Sequence, residues 1–71
     1  MYQWLVVITL KSGKQLEVIY EGKEAQSGEV ANRVMAGGAN TMNGFFDKTK
    51  THNILVLVGE IAALDISEWR G

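Results

Sequence analysis

The chain is 71 residues long, which limits it to one domain, residues 1–71, with a small hydrophobic core. It contains no cysteine, which excludes disulfide bonds and thiolate metal sites. Seven Lys and Arg against eight Asp and Glu give a net charge of -1, which argues against a dedicated nucleic-acid binder, and the hydrophobic share of 46% argues against disorder.

The first residues enter a strand pattern directly, without the basic leader of a secretory signal peptide. The longest apolar run, residues 4–8, is far too short to cross a membrane, so no membrane partner is expected. Because cysteine-free chains suit a reducing compartment, we predict a cytoplasmic protein.

Two β-branched and aromatic segments, residues 4–10 and 16–20, predict an N-terminal β-hairpin. A three-residue loop, residues 11–13, makes one face wholly apolar, whereas a two-residue loop would mix charge into both faces. Gly13 suits the left-handed position that ends such a loop. The predicted cross-strand pairs are Ile8 with Leu16, Val6 with Val18, and Trp4 with Tyr20.

The six residues from Thr9 to Lys14 resemble the opening turn of ubiquitin-like domains. That resemblance implies a hairpin of this loop class and implies no function. Whether the last strand runs beside the first, as in β-grasp domains, is left open by the pattern.

The opposite face of the hairpin is more apolar than a solvated face requires, because Leu5, Val7 and Ile19 lie there. Exposed apolar patches often mark interaction sites, so we expect another element or a partner to cover this face. Trp69, followed by Arg70, is a further interface candidate because both residue types are favoured as interface anchors.

Residues 23–36 predict one helix, which the pair Gly37 and Gly38 ends. Its start has two alternatives, one near Gly28 with Ser27 as the cap and one at Glu24. The apolar face comprises Val30, Ala31, Val34 and Met35. The small residues that follow lack the spacing of a phosphate-binding loop and predict a flexible connector.

Three C-terminal segments complete the predicted sheet. Residues 43–47 predict a short strand, and residues 53–58 are apolar on both faces, which predicts a central strand. Residues 61–69 predict the last strand, preceded by a simple turn. A single tighter helical turn at residues 60–62 is the alternative. The expected core-facing positions of this strand are Ala62, Leu64 and Ile66. The fold class is therefore α+β, a small single sheet with the helix packed on one face.

No catalytic, metal or nucleotide motif stands out, so we expect no enzyme, cofactor, metal ion or small-molecule ligand. His52 is the sole histidine and could form an acid–base pair with Asp47 or Asp65. A histidine at a polar turn is more often simply solvated. Asp65, in an apolar strand, is more often a solvated or lysine-paired carboxylate than a group with a raised pKa.

Both predicted hairpin tips carry lysines, which could contact phosphates if the tips converge. Lysines at turns also protect sheet edges, which is the commoner reason for their presence. The candidate nucleic-acid contacts are Lys11, Lys14, Lys48, Lys50 and His52.

The sequence favours a small non-enzymatic interaction module that self-associates, or binds another protein, through a sheet face or edge. Its predicted interface comprises Leu5, Val7, Ile19 and Trp69. The alternative is a small nucleic-acid-binding or regulatory protein that uses the lysines of its hairpin tips.

Overall fold

The computed structural model describes residues 1–70, which form five strands and one α-helix. In chain order the elements are β1 (Tyr2–Leu10), β2 (Gln15–Gly22), α1 (Ser27–Val34), β3 (Met42–Phe46), β4 (Asn53–Leu57) and β5 (Ile61–Glu68), with a 3-10 turn at Val58–Glu60. All strands lie in one antiparallel sheet of order β4-β3-β2-β1-β5. The predicted single-sheet α+β class is confirmed. No helix within residues 1–70 has the length and apolar composition to cross a membrane.

The β1–β2 hairpin has the predicted register. Ile8 faces Leu16, Val6 faces Val18 and Trp4 faces Tyr20. The loop closes with a hydrogen bond from Leu10 N–H to the Lys14 carbonyl at 2.8 Å. Gly13 has a φ of 92°, so the left-handed position falls on the one residue type that adopts it without strain.

α1 packs on one face of the sheet through Val30 and Val34, both fully buried. This core draws on α1 and all five strands: Trp4, Val6, Ile8, Val18, Val30, Val34, Phe45, Val56 and Ile61. Among the predicted apolar positions of the helix, Ala31 is half-buried and Met35 is 40% exposed.

The helix is shorter than the predicted span of residues 23–36, and Ser27 is its first residue rather than its cap. Tertiary contacts explain the late start. Trp4 Nε1 donates to the Glu24 carbonyl at 3.0 Å, and the Tyr20 hydroxyl donates to the Glu24 carboxylate at 2.8 Å. These bonds hold the segment before α1 in a non-helical path, which overrides the high helix propensity of Lys23, Ala25 and their neighbours.

The helix end and the connector after it are held by hydrogen bonds. Asn43 Nδ2 on β3 donates to the Val34 carbonyl at 2.8 Å and to the Ala36 carbonyl at 3.2 Å. In the connector, the Thr41 carbonyl accepts from Val58 N–H at 2.9 Å. The connector is thereby hydrogen-bonded to the 3-10 turn. This turn, Val58–Glu60, begins two residues before the helical turn that the sequence offers as an alternative at residues 60–62.

β5 runs antiparallel beside β1, which gives the strand order that the pattern left open. The pairing shifts between Thr9, which faces Ala63, and Leu10, which faces Ile61. Ala62 is the extra residue of this bulge and is exposed, so the prediction that it faces the core is wrong. Ile61 is buried in its place, while Leu64 and Ile66 pack against the core as predicted.

β4 lies at the edge of the sheet, so the prediction that it is a central strand is wrong. Its Val56 faces the core, but Leu55 on the other face is 63% exposed. The strand is apolar on both faces without being covered on both. The β3–β4 hairpin joins β2 through a single register pair, Ile19 with Phe46.

Candidate protein-interaction surface

The face of the sheet opposite α1 carries no helix within residues 1–70, and we call it the open face. The alternation of side chains along strands β1 to β4 places one group of apolar residues on this face. These residues are Leu5, Val7, Ile19, Met42, Phe46, Leu55 and Leu57. The open face therefore contains the predicted hairpin residues and four further residues from the β3–β4 hairpin.

The most exposed part of the open face lies on the β3–β4 hairpin. Leu55, Met42 and Phe46 are 63%, 54% and 39% exposed. Gly44 lies between Met42 and Phe46 on β3 and opposite Leu55 on β4. A Cβ atom on Gly44 would lie 3.1 Å from Leu55 Cδ2, so the Leu55 side chain lies over the glycine. The result is a continuous apolar patch at one side of the sheet.

Ile19 has no exposed surface, although it belongs to the open face. Its neighbours two residues away on β2, Glu17 and Glu21, each hold a lysine of the β3–β4 turn. Lys48 Nζ lies 2.7 Å from Glu17 Oε1, and Lys50 Nζ lies 3.0 Å from Glu21 Oε2. The two ion pairs lie on either side of Ile19 along β2. The Ile19 side chain is therefore inaccessible in the monomer and presents no contact surface.

The other predicted interface residues lie in two places. Leu5 and Val7 are half-buried on the open face, next to Ile19. Trp69 lies apart from the open face: its backbone N–H donates to the Gln3 carbonyl at 2.9 Å, and it lines a shallow groove of about 250 Å³. Arg70 at that groove is paired with a carboxylate, Glu68, at 3.1 Å.

The sequence pattern does not indicate the contribution of the β3–β4 hairpin, because residues 53–58 are apolar on both faces and predict a buried central strand. A signal was available in the element count. One helix covers only one face of a sheet, so within residues 1–70 no element covers the alternate apolar positions of β4, Leu55 and Leu57.

The candidate nucleic-acid contacts are divided between engaged and exposed side chains. Lys48 and Lys50 are each paired with a glutamate of β2, whereas Lys11 and Lys14 at the first tip are exposed without an ion-pair partner among residues 1–70. His52 is exposed as well, and its Nδ1 lies 3.2 Å from Asp47 Oδ2. The structure thus brings together one of the two predicted histidine–aspartate pairs.

Asp47 organises the β3–β4 turn. Its Oδ1 accepts from Thr51 N–H at 3.0 Å and His52 N–H at 3.2 Å, and its Oδ2 accepts from the Thr49 hydroxyl at 2.8 Å. Partial desolvation favours the neutral acid, but these hydrogen bonds and the one from the His52 ring outweigh it and lower the pKa of Asp47 to about 2. The carboxylate shapes the turn that carries Lys48 and Lys50.

The chemistry available on this surface is apolar contact. Within residues 1–70, no three His, Asp or Glu side chains converge to hold a metal ion. The buried core of the same residues contains apolar side chains only. Comparison of the chain with protein-family models, curated proteins and solved structures gave no match.

Proposed function

We propose that this protein is a non-enzymatic interaction module that self-associates, or binds another protein, through the open face and the adjoining edge of its sheet. The observation that carries the proposal is Leu55, a leucine 63% exposed in a continuous patch with Met42 and Phe46. Contiguous exposed apolar patches mark protein contact sites. Burial of such surface is favourable by about 25 cal/mol per Å².

The size of the domain supports the same proposal. A chain of 71 residues buries a smaller fraction of its surface on folding than a larger domain does, and so has a thin margin of stability. A partner that binds only the folded state raises that margin by mass action. Disulfide bonds are excluded as an alternative source of stability, and the same lack of cysteine supports our proposal of a cytoplasmic location.

Sedimentation velocity over a concentration series tests self-association. We expect the sedimentation coefficient of the wild-type chain to rise with concentration, because the open face becomes buried between copies. Leu55→Glu places a charge in the patch and is expected to shift the chain to monomer. Asn32→Glu adds the same charge at an exposed position of α1 and serves as the matched control.

A wild-type chain that remains monomeric at about 1 mM, a concentration that detects contacts of about 4 kcal/mol, would contradict self-association. The remaining form of the proposal would then be that the open face binds a different protein. Equal loss of association in Leu55→Glu and Asn32→Glu would place the contact away from the open face.

A further inference from the structure

Lys50, in the β3–β4 turn, has a φ of 59° and is the one residue other than glycine with a positive φ among residues 1–70. Its N–H donates to the Asp47 carbonyl at 3.0 Å. Gly13 in the first hairpin has the same arrangement, with a φ of 92° and a bond to the Leu10 carbonyl at 2.8 Å. The two turns thus carry glycine at one left-handed position and lysine at the other, where a side chain strains the backbone.

The Lys50 side chain crosses the rung formed by Ile19 on β2 and Phe46 on β3. Because these strands are antiparallel, the turn that follows Phe46 lies on the Glu17 side of the rung. Lys50 Nζ nevertheless lies 3.0 Å from Glu21 Oε2, and Glu21 is on the other side of Ile19 along β2. The side chain therefore extends back from the turn, over the open face, to reach its partner.

This path accounts for the complete burial of Ile19. Its side chain has no exposed surface, although no helix or strand within residues 1–70 lies over the open face. Leu5 and Phe46 face it from the neighbouring strands and so lie beside it. The Lys50 side chain is only 37% exposed, so its aliphatic stem is partly buried while its ammonium group stays at Glu21. The stem covers Ile19.

We propose that the Lys50 side chain is a releasable strap, which covers Ile19 in the closed state and uncovers it when the ion pair with Glu21 opens. In the closed state the strap separates Leu5 and Val7 on β1 from the apolar patch of the β3–β4 hairpin. Release joins them into one surface. This regulation rests on the proposed function, because uncovering Ile19 matters only if the open face binds a partner.

The closed state is weakly held. Both members of the ion pair are partly exposed, Lys50 by 37% and Glu21 by 31%, and exposed ion pairs contribute little net stability and are screened by salt. Closure also fixes a long side chain on a left-handed residue, which costs side-chain freedom. The closed and open states are therefore close in free energy. A partner that contacts Ile19 shifts the population toward the open state.

Thiol labelling measures the release directly, because the chain has no cysteine of its own. We expect Ile19→Cys to react with a maleimide at least about tenfold faster when Lys50→Gly is added, because labelling then requires no opening step. Glycine suits the left-handed position, so stability in urea titrations should be unchanged or higher. Lys48→Gly removes the same charge from the same turn, and its side chain pairs with Glu17 without crossing the rung. It should leave the labelling rate nearly unchanged.

Val18→Cys is the control for unfolding. Val18 is as buried as Ile19 and adjacent to it, but it belongs to the core beneath α1. Its labelling should stay slow in the Lys50→Gly background. Equal acceleration at both positions would mean that Lys50→Gly loosens the whole fold, which overturns the strap.

Ionic strength provides a second readout. Raising the salt concentration to about 1 M should speed labelling of Ile19→Cys by up to about fivefold, the size of one exposed ion pair. In the Lys50→Gly background salt should have no such effect. If Ile19→Cys does not fold, broadening of the Ile19 methyl signals by a soluble nitroxide gives the same comparison in the cysteine-free chain.

The outcomes distinguish this inference from the proposed function. An Ile19→Cys rate that is the same with Lys50 and with Lys50→Gly overturns the strap, while Leu55→Glu still tests the open face separately. Faster labelling in a chain that is strictly monomeric supports the strap and contradicts self-association alone. Faster labelling together with tighter self-association of Lys50→Gly in sedimentation velocity supports both.

Discussion

Leu55 lies across Gly44 so closely that a Cβ atom on Gly44 would stand 3.1 Å from the Leu55 Cδ2 atom. Because Gly44 has no side chain, the Leu55 side chain occupies space that a larger residue on β3 would narrow. This relationship shapes the apolar patch without contributing to the core, since both residues are on the open face.

Gly44→Ala should separate the shape of the patch from the stability of the fold. Leu55 is exposed and can move by the few tenths of an ångström required. Alanine in a strand also restricts the unfolded chain, which adds about 0.4–1 kcal/mol of stability. We therefore expect unchanged or slightly higher stability in urea titrations and altered self-association in sedimentation velocity. A loss of more than about 1 kcal/mol would show that Leu55 cannot move.

Asn43→Ala should destabilise the protein through the end of α1. Two carbonyls, those of Val34 and Ala36, lose their side-chain donor. The bond to Val34 is partly buried and the bond to Ala36 is exposed, so we expect a loss of about 1 kcal/mol. Chemical denaturation measures the change, and Asn32→Ala, at an exposed position of the same helix, is the control with little expected loss. Equal effects of the two variants would rule out this capping role.

Gly37→Ala and Gly38→Ala form a matched pair of neighbouring substitutions. Gly37 has a φ of 94°, and a Cβ there would lie 2.5 Å from Thr41 Oγ1, whereas a Cβ on Gly38 meets nothing within 4 Å. We expect Gly37→Ala to lower the melting temperature clearly, with a cost of about 1–3 kcal/mol, and Gly38→Ala to leave it nearly unchanged. Differential scanning calorimetry on both variants checks the contrast.

Asp47 should make stability depend on pH in the acid range. Its pKa is about 2 in the folded chain against an ordinary value of 3.8, so the unfolded state binds more protons between these values. The stability contributed by this carboxylate is present above about pH 4 and is lost as the pH falls through 2. Hydrogen bonds also lower the pKa values of Glu21 and Glu24, so the comparison must be between variants.

Asp47→Asn isolates this contribution, because the two glutamates remain in both proteins. Urea titrations from pH 5 to 2 should show the stability difference between wild type and variant shrinking as the solution becomes more acidic. A constant difference across this range would mean that the turn does not depend on the charge of Asp47.

The N-terminal hairpin was predictable from sequence because two independent local signals agree. The apolar alternation and the glycine in the loop both specify one register, and a slip of one residue would bury Glu17. Such information is contained within the twenty residues concerned. The same holds for the stop of the helix before Gly37 and for the strand Met42–Phe46, predicted one residue later.

The position of β4 and the start of α1 depend on contacts distant in sequence. The pattern of β4 shows which faces are apolar but not what lies over them. The start of α1 depends on bonds from Trp4 and Tyr20 to Glu24, which no local propensity reports. Ala62 illustrates a third limit, since one bulge residue reverses the alternation from which the core face of β5 was inferred.

β1 pairs with β2 through a short turn and with β5 across almost the whole chain. Contacts of such different sequence separation form at different rates, because the long loop must lose its conformational freedom before the pairing compensates. The β1–β2 hairpin is thus the expected early structure, and the docking of β5 the expected late step. During the interval, the hydrogen-bonding groups of β1 that later meet β5 remain open to intermolecular pairing, so folding kinetics, as well as the finished sheet, influence aggregation.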